Sequence, residues 1–267
     1  MQALPHNLNT WILITGASSG IGECFAKRLA KEGNNLILVA RSQEKLKQLA
    51  QSLEDQYQTK VLCIPADLVA LDAPSKIYKE INERGISLFG LINNAGCGAG
   101  GKFIEVSRER YLQMIDLNIR SLVELTHLFL PGMIEQKKGF VLNVSSTASY
   151  QPIPYSSVYA ASKAFVTSFS EALWLETKNS GVRILNLCPG LTKTNFGIAA
   201  GIRDFRSDPI AEKPEQVVDA ALRALKKNIP TVISGWHNWL LAVIERLVPH
   251  RFVLWASLAL QNSRRMF

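Results

Sequence analysis

Tyr159 and Lys163 stand four residues apart in the run Tyr159-Ala160-Ala161-Ser162-Lys163. On a helix, residues i and i+4 share one face, a turn apart. An ammonium beside a phenol favours the phenolate, so Lys163 is expected to lower the pKa of Tyr159 from about 10. A tyrosine tuned in this way can give or take a proton during carbonyl or alcohol chemistry. Such pairs also occur by chance on exposed helices. The elements that would position this one therefore decide its meaning.

The first is at the amino end. Trp11-Ile12-Leu13-Ile14 reads as a short buried strand that runs into Thr15-Gly16-Ala17-Ser18-Ser19-Gly20-Ile21-Gly22. Cys24, Phe25, Leu29 and Ala30 then recur at helical spacing, and Gly33 ends the helix. Strand, glycine turn and helix form the context in which a glycine motif has meaning. Gly16 permits a sharp turn, while Gly20 and Gly22 let backbone approach a pyrophosphate. The helix amino end offers unpaired N–H groups and the positive end of its dipole.

The spacing Gly-x-x-x-Gly-x-Gly, with Thr15 in front, resembles that of the short-chain dehydrogenase/reductase family in its branch of roughly 250 residues. The resemblance runs from about residue 10 to 235. Asp67, in Ala66-Asp67-Leu68, follows the third strand, where the family contacts adenine. Asn93-Asn94-Ala95-Gly96 follows the fourth. Asn118 lies in the central helix region, and Ser145-Ser146 ends the fifth strand. Tyr159 and Lys163 come next, then Pro189-Gly190-Leu191-Thr192-Lys193-Thr194 after the sixth.

The rest of the chain agrees with a single domain over residues 1–267. Its dinucleotide-binding core spans 10–235 and a helical extension spans 236–267. Apolar content of 47% with 19% charged residues describes a globular protein. Strand-like runs at Asn35 to Ala40, Lys60 to Pro65, Leu88 to Asn93, Gly139 to Ser145, Val182 to Cys188 and Pro230 to Ser234 alternate with helical segments. The expected fold is α/β: a Rossmann-like, doubly wound parallel sheet of about seven strands with helices on both faces. Ligands bind beyond the carboxyl ends of such strands. The glycine turn, Asp67, Asn93, Ser146 and Pro189 all fall there.

The end of the second strand bears on the cofactor. NAD sites place an acid there for the ribose 2′-hydroxyl, whereas a 2′-phosphate needs a cation. Here Ala40 stands at the acid's usual place and Arg41-Ser42 follows. Arginine grips phosphate through paired hydrogen bonds, and Ser42 can add a donor while capping the next helix. NADP(H) is therefore the expected cofactor. Ser19 departs from the basic residue often found at that turn position in NADP-preferring relatives.

The resemblance implies cofactor contacts at Gly16, Ser18, Ser19, Gly20, Ile21, Gly22, Arg41, Ser42, Asp67, Leu68, Asn94, Ala95, Gly96, Tyr159, Lys163, Pro189, Gly190, Thr192 and Thr194. It implies four catalytic residues. Ser146 orients the carbonyl oxygen and Tyr159 donates the proton. Lys163 stabilises the phenolate and holds the nicotinamide ribose, and Asn118 supports a water chain. Ser145 is read as structural. An alternative is an idle NADP-binding sensor or scaffold of the same fold. The presence of all four catalytic residues speaks for the enzyme. Phe196, Ile198, Ile202 and Phe205 in the segment Leu191 to Lys213, with Tyr150, Pro152, Ile153, Pro154 and Tyr155, suit a hydrophobic ketone, aldehyde or secondary alcohol.

Cys24, Cys63 and Cys188 read as small buried thiols, and Cys97 follows the Asn-Asn-Ala-Gly turn beside the crevice. The four histidines show no metal-ligand spacing. Residues 1–10 lack an apolar signal core, so a cytoplasmic location is expected. The net charge of +8 comes without a nucleic-acid motif, and no such partner is expected. In the extension, Trp236, Trp239, Leu240, Val243, Ile244 and Leu247 recur at helical spacing, Pro249 interrupts, and Phe252 to Leu260 is apolar. Two helices are expected over 236–262, with a net +3 from Arg246, Arg251, Arg264 and Arg265 against Glu245. Two coverings stay open for them: protein, including a second copy in a homo-oligomer, or contact at a membrane surface.

Overall fold

The computed structural model describes residues 10–265. Seven parallel strands form one sheet in the order β3-β2-β1-β4-β5-β6-β7. They are β1 (Trp11–Thr15), β2 (Asn35–Ala40), β3 (Val61–Pro65), β4 (Leu88–Asn93), β5 (Gly139–Val144), β6 (Val182–Cys188) and β7 (Thr231–Ile233). These are the runs expected from the sequence, within a residue or two at their ends. The strands are apolar on both faces because helices cover both. On one face α1 (Gly20–Lys31), α2 (Gln43–Tyr57) and α8 (Pro214–Lys226) enclose a core around Phe25, Leu29, Leu36, Phe140 and Leu222. On the other, α3 (Ala73–Glu83) and α5 (Ser121–Glu135) cover Leu13, Ile37, Leu91, Val141 and Ile184.

The chain order reverses between β1 and β4. Such a switch point opens a crevice beyond the strand ends. Thr15 and Asn94 close its floor. The Thr15 hydroxyl donates to the Ile92 carbonyl (3.3 Å) and accepts from the backbone N–H groups of Asn94 and Ala95 (3.0 and 2.9 Å). The Asn94 amide donates to the carbonyls of Thr15 and Gly16 (2.9 and 3.3 Å). The ends of the two strands thus move as one piece.

The sequence reading did not single out a row of buried polar residues crossing the sheet. Asn93, Asn143 and Asn186 occupy one register line on β4, β5 and β6. Asn93 Nδ2 donates to Asn143 Oδ1 (2.9 Å), and Asn143 Nδ2 donates to Ser170 Oγ (2.9 Å). Asn186 Nδ2 reaches Thr167 and Thr231 (3.3 Å each). The row lies one residue before the strand ends that bear Asn94 and, at Val144, the carbonyl that fixes the site lysine described below.

After β7 come α9 (Trp236–Leu247) and α10 (His250–Arg265), separated at Pro249 as the periodicity predicts. Ala242, Val253 and Ser257 are buried, and Ser257 Oγ donates to the Pro152 carbonyl (2.8 Å). Trp236, Trp239, Leu247 and Trp255 remain exposed, Trp236 at 77% and Leu247 at 79%. The pair is therefore packed on protein along one side and bare along the other. No helix among the described residues is long and apolar enough to cross a membrane.

The polar row yields a stability prediction. Asn143→Leu keeps the branched outline, adds bulk at a fully buried position and removes one of two hydrogen-bond partners from each of Asn93 Nδ2 and Ser170 Oγ. It should lower the unfolding free energy by about 2 kcal/mol, measured by urea titration, because orphaned buried groups cost about 1–3 kcal/mol each. An unchanged midpoint would show that the row is dispensable.

Candidate active site

The site grows from the helix α6 (Ser157–Glu176), which carries Tyr159, Ser162 and Lys163 beside the end of β5. Lys163 is 5% exposed and its ammonium donates to the Val144 carbonyl (2.8 Å). Ser145 Oγ donates to the Lys163 carbonyl (2.7 Å) and bonds Thr167 Oγ1 (2.8 Å), which is the structural role expected of it. Ser146 starts a short 3₁₀ turn, Thr147–Ser149, and its hydroxyl accepts from the Ala148 N–H (3.1 Å). The Ser146 hydroxyl lies close enough to the Tyr159 phenol to favour its ionised form.

The electrostatics differ from the sequence expectation. Burial pushes the Tyr159 phenol up to about 12, against a smaller opposing effect of the Ser146 hydrogen bond. Burial also pushes the Lys163 ammonium down to about 8. The lysine therefore does not pull the phenol down in this state. Its nitrogen lies 5.9 Å from the centre of the Tyr159 ring, and one of its donors is turned to Val144. Desolvation of two neighbouring groups outweighs their attraction at that distance.

Asn118 arrives by a local irregularity. Between α4 (Arg108–Ile115) and α5 the chain makes a π turn over Asp116–Arg120. Single π turns inside α-helices recur at functional sites because they re-aim a side chain. Asn118 is 1% exposed. Its Oδ1 accepts from the Cys97 N–H (2.9 Å), and its Nδ2 donates to the Cys97 carbonyl and Ser162 Oγ (3.0 Å each). It thereby clamps the loop after β4 onto α6. Gly96 permits this, since a Cβ there would meet Asn118 Oδ1 at 3.3 Å and Lys163 Nζ at 3.4 Å. Cys97 lies within electrostatic reach of both Tyr159 and Lys163, and burial raises its thiol pKa.

The same π turn carries Arg120, which the sequence reading missed. Its guanidinium pairs with Asp116 (2.9 Å) and Glu124 (3.2 Å) and donates to the carbonyls of Val69 (2.8 Å) and Leu68 (3.4 Å). It holds the loop of Asp67 and Leu68, the expected adenine contacts. Neither composition nor spacing marks an arginine that acts through distant carbonyls.

The cofactor cradle fits a dinucleotide. Gly16 and Gly20 adopt φ of +65° and +59°, conformations that other residues rarely hold. A Cβ on Gly22 would strike the Gly16 carbonyl at 2.3 Å. The amino end of α1 carries no side-chain cap from Ser19, so its N–H groups face the crevice. Ser18 and Ile21 flank this turn. Opposite lies the Pro189–Thr194 loop, with Thr194 against Gly20, where a Cβ would be 3.0 Å from Thr194 Cγ2. Thr192 bonds the Gly190 carbonyl (3.0 Å). Arg41 is exposed just past β2, and the Ser42 hydroxyl caps α2 by accepting from the Lys45 N–H (3.4 Å). Asn94 uses its side chain on the floor of the crevice, leaving Ala95 and Gly96 to line the space above.

Phe196, at the start of the short helix α7 (Phe196–Ala199), lies over the tyrosine, with ring centroids 5.5 Å apart. The backbone of its segment is tied to the loop after β4, where the Gly100 N–H donates to the Ala200 carbonyl (2.9 Å). The Gly101 N–H donates to the Tyr155 carbonyl (2.9 Å), which brings in the loop before α6.

The chain matches the family model described as short chain dehydrogenase over residues 10–202. It is 35% identical to the very-long-chain 3-oxoacyl-CoA reductase of Anas platyrhynchos, over 88% of this chain and 76% of that one. It is 33% identical to the 17-beta-hydroxysteroid dehydrogenase type 3 of Danio rerio, over 92% of this chain and 80% of that one. Among solved structures, a short-chain dehydrogenase from Sphingobium yanoikuyae in complex with NADPH superimposes with a TM-score of 0.80 at 33% identity, covering 85% of this chain and 89% of the other. With its sheet order, its glycine cradle and the Ser146–Tyr159–Lys163 cluster, the chain belongs to the short-chain dehydrogenase/reductase family and is an oxidoreductase that works with a nicotinamide cofactor on CH–OH groups.

Proposed function

We propose that this enzyme uses NADP(H) to interconvert a ketone or aldehyde and the corresponding alcohol on a bulky hydrophobic substrate. The observation that carries the reading is the convergence of Ser146, Tyr159, Lys163 and Asn118 at one point of the crevice, beside a cradle shaped for a dinucleotide. The solved neighbour bound to NADPH supports the cofactor choice, as does Arg41 at the end of β2. Relatives named for a very-long-chain 3-oxoacyl-CoA and a 17-beta-hydroxysteroid support a ketone on a large apolar body. Phe196, Ile198 and Ile202 offer such a body an apolar cover, Ile198 and Ile202 being exposed.

The bound nicotinamide supplies or accepts the hydride. Ser146 donates a hydrogen bond to the substrate oxygen and orients it. Tyr159, fully protonated at neutral pH, gives its proton to that oxygen as negative charge develops there. Lys163 turns its remaining donors toward the cofactor ribose and steadies the phenolate left behind. Fixed donors aimed at a developing oxyanion are the main catalytic contribution. Asn118 holds the loop and helix on either side of the pair, and the water chain that returns the proton starts beside it. A protein that only bound the cofactor could use Lys163 on the ribose but would have no need of Ser146 beside the Tyr159 phenol.

The outer face of α9 and α10 supports a second reading. Three exposed tryptophans flank exposed leucines there, Arg251 is exposed, and Glu245 is the lone acid of residues 236–267. We propose that this face rests on an anionic membrane surface, making the enzyme peripheral.

Four outcomes test these readings. Tyr159→Phe should bind NADPH normally and lose turnover by about a hundredfold or more, the usual share of general acid catalysis. With the wild type, kcat/KM for carbonyl reduction should be flat up to about pH 8 and fall above it as Lys163 loses its proton. Retained turnover in the tyrosine variant would reassign the acid. Arg41→Ala should erase a preference for NADPH over NADH of about tenfold, or about 1.4 kcal/mol, in a binding titration. Finally, the protein should pellet with anionic but not neutral vesicles, and Trp236→Ser with Trp255→Ser should weaken this. Self-association without vesicle binding would assign the face to a second copy.

A further inference from the structure

The Pro189–Thr194 wall of the crevice is held from behind by the start of α9. Glu212 joins the two. Its backbone forms a parallel bridge to the loop, its N–H donating to the Leu191 carbonyl (2.9 Å) and its carbonyl accepting from the Lys193 N–H (2.9 Å). Its carboxylate turns the other way, accepting from Ser234 Oγ (2.7 Å) and Asn238 Nδ2 (3.3 Å). Asn238 Nδ2 also donates to the Ser234 carbonyl (2.7 Å).

The Asn238 amide is pressed against Gly190. A Cβ on Gly190 would lie 2.3–2.6 Å from its amide atoms, closer than real side chains approach. Gly235, at φ +77°, leaves the same room on the far side, where a Cβ would be 2.9 Å from Asn238 Nδ2 and 3.1 Å from Glu212 Cδ. Two glycines thus bracket one asparagine, and a carboxylate receives two donors. The clasp sits where the loop has no regular partner strand, so it removes freedom that a ligand would otherwise have to freeze out on binding.

We propose that Glu212, Ser234 and Asn238 form a clasp that positions the Pro189–Thr194 wall for the nicotinamide half of the cofactor, with Asn238 as its central positioning residue. The carboxyl-terminal helix pair is then a working part of the cofactor site. This rests on reading that loop as a cofactor wall. Gly190 owes its lack of a side chain at least as much to Asn238 as to the ligand.

The test uses the full-length protein and two probes. NADPH needs both halves of the crevice. Adenosine 2′,5′-bisphosphate needs only the half near Arg41. In Asn238→Ala and Glu212→Ala, NADPH affinity should fall about tenfold or more, as expected when a binding wall shifts by a fraction of an ångström. Affinity for the bisphosphate should stay unchanged. Glu212→Gln keeps an acceptor oxygen and should retain NADPH affinity, even if Asn238→Ala fails to fold. The double alanine variant should be no worse than the poorer single one. Wild-type NADPH affinity in Asn238→Ala, or equal losses on both probes, overturns the clasp. A wild-type protein that binds neither probe overturns the cofactor reading itself.

Discussion

The buried ammonium of Lys163 is the constraint around which the site is built. Taking that charge out of water lowers its pKa and disfavours the charged form. The fold accepts this because neighbouring groups are fixed first. The Val144 carbonyl at the end of β5 accepts a hydrogen bond from the ammonium, and Ser145 ties the lysine's own carbonyl to the same strand end. Gly96 leaves space on the third side. Each of these holds only if β4, β5 and α6 keep their spacing. The apolar cores on both faces of the sheet and the asparagine row between the strands secure that spacing.

A second rigid unit faces the first. Thr15 and Asn94 join β1 to β4 through five hydrogen bonds. The glycine turn above them, whose positive φ values suit glycine, rests on that fixed floor. The π turn links the halves, since Asn118 grips the loop after β4 and Arg120, two residues on, grips the loop after β3. One local insertion in a helix thus orders both the catalytic and the adenine ends of the crevice.

The carboxyl-terminal helices show how one element can serve two surfaces. Small and polar residues, Asn238, Ala242, Val253 and Ser257, face the body, while tryptophans and leucines face outward. The inner contacts reach both walls of the crevice, at Gly190 and at Pro152. Whatever covers the outer face therefore bears on the same helices that brace the site.

The sequence alone determined the elements and the chemistry available to them. Short apolar runs alternating with helical segments pointed to strands buried on both faces, and Gly16, Gly20 and Gly22 announce a turn that other residues would strain. Tyr159 and Lys163 share a helix, so their proximity followed from spacing. What depended on distance through space was not legible. The direction of the Tyr159 shift came out opposite to expectation, because spacing reports neighbours but not how much water they lose. Arg120 and the clasp of Glu212 with Asn238 join positions about 50 and 26 residues apart through carbonyls and a carboxylate. No local pattern records such partners. Tertiary structure decided them, since only the packed sheet brings one strand's end against another's loop, and only there does burial set the charge each group carries.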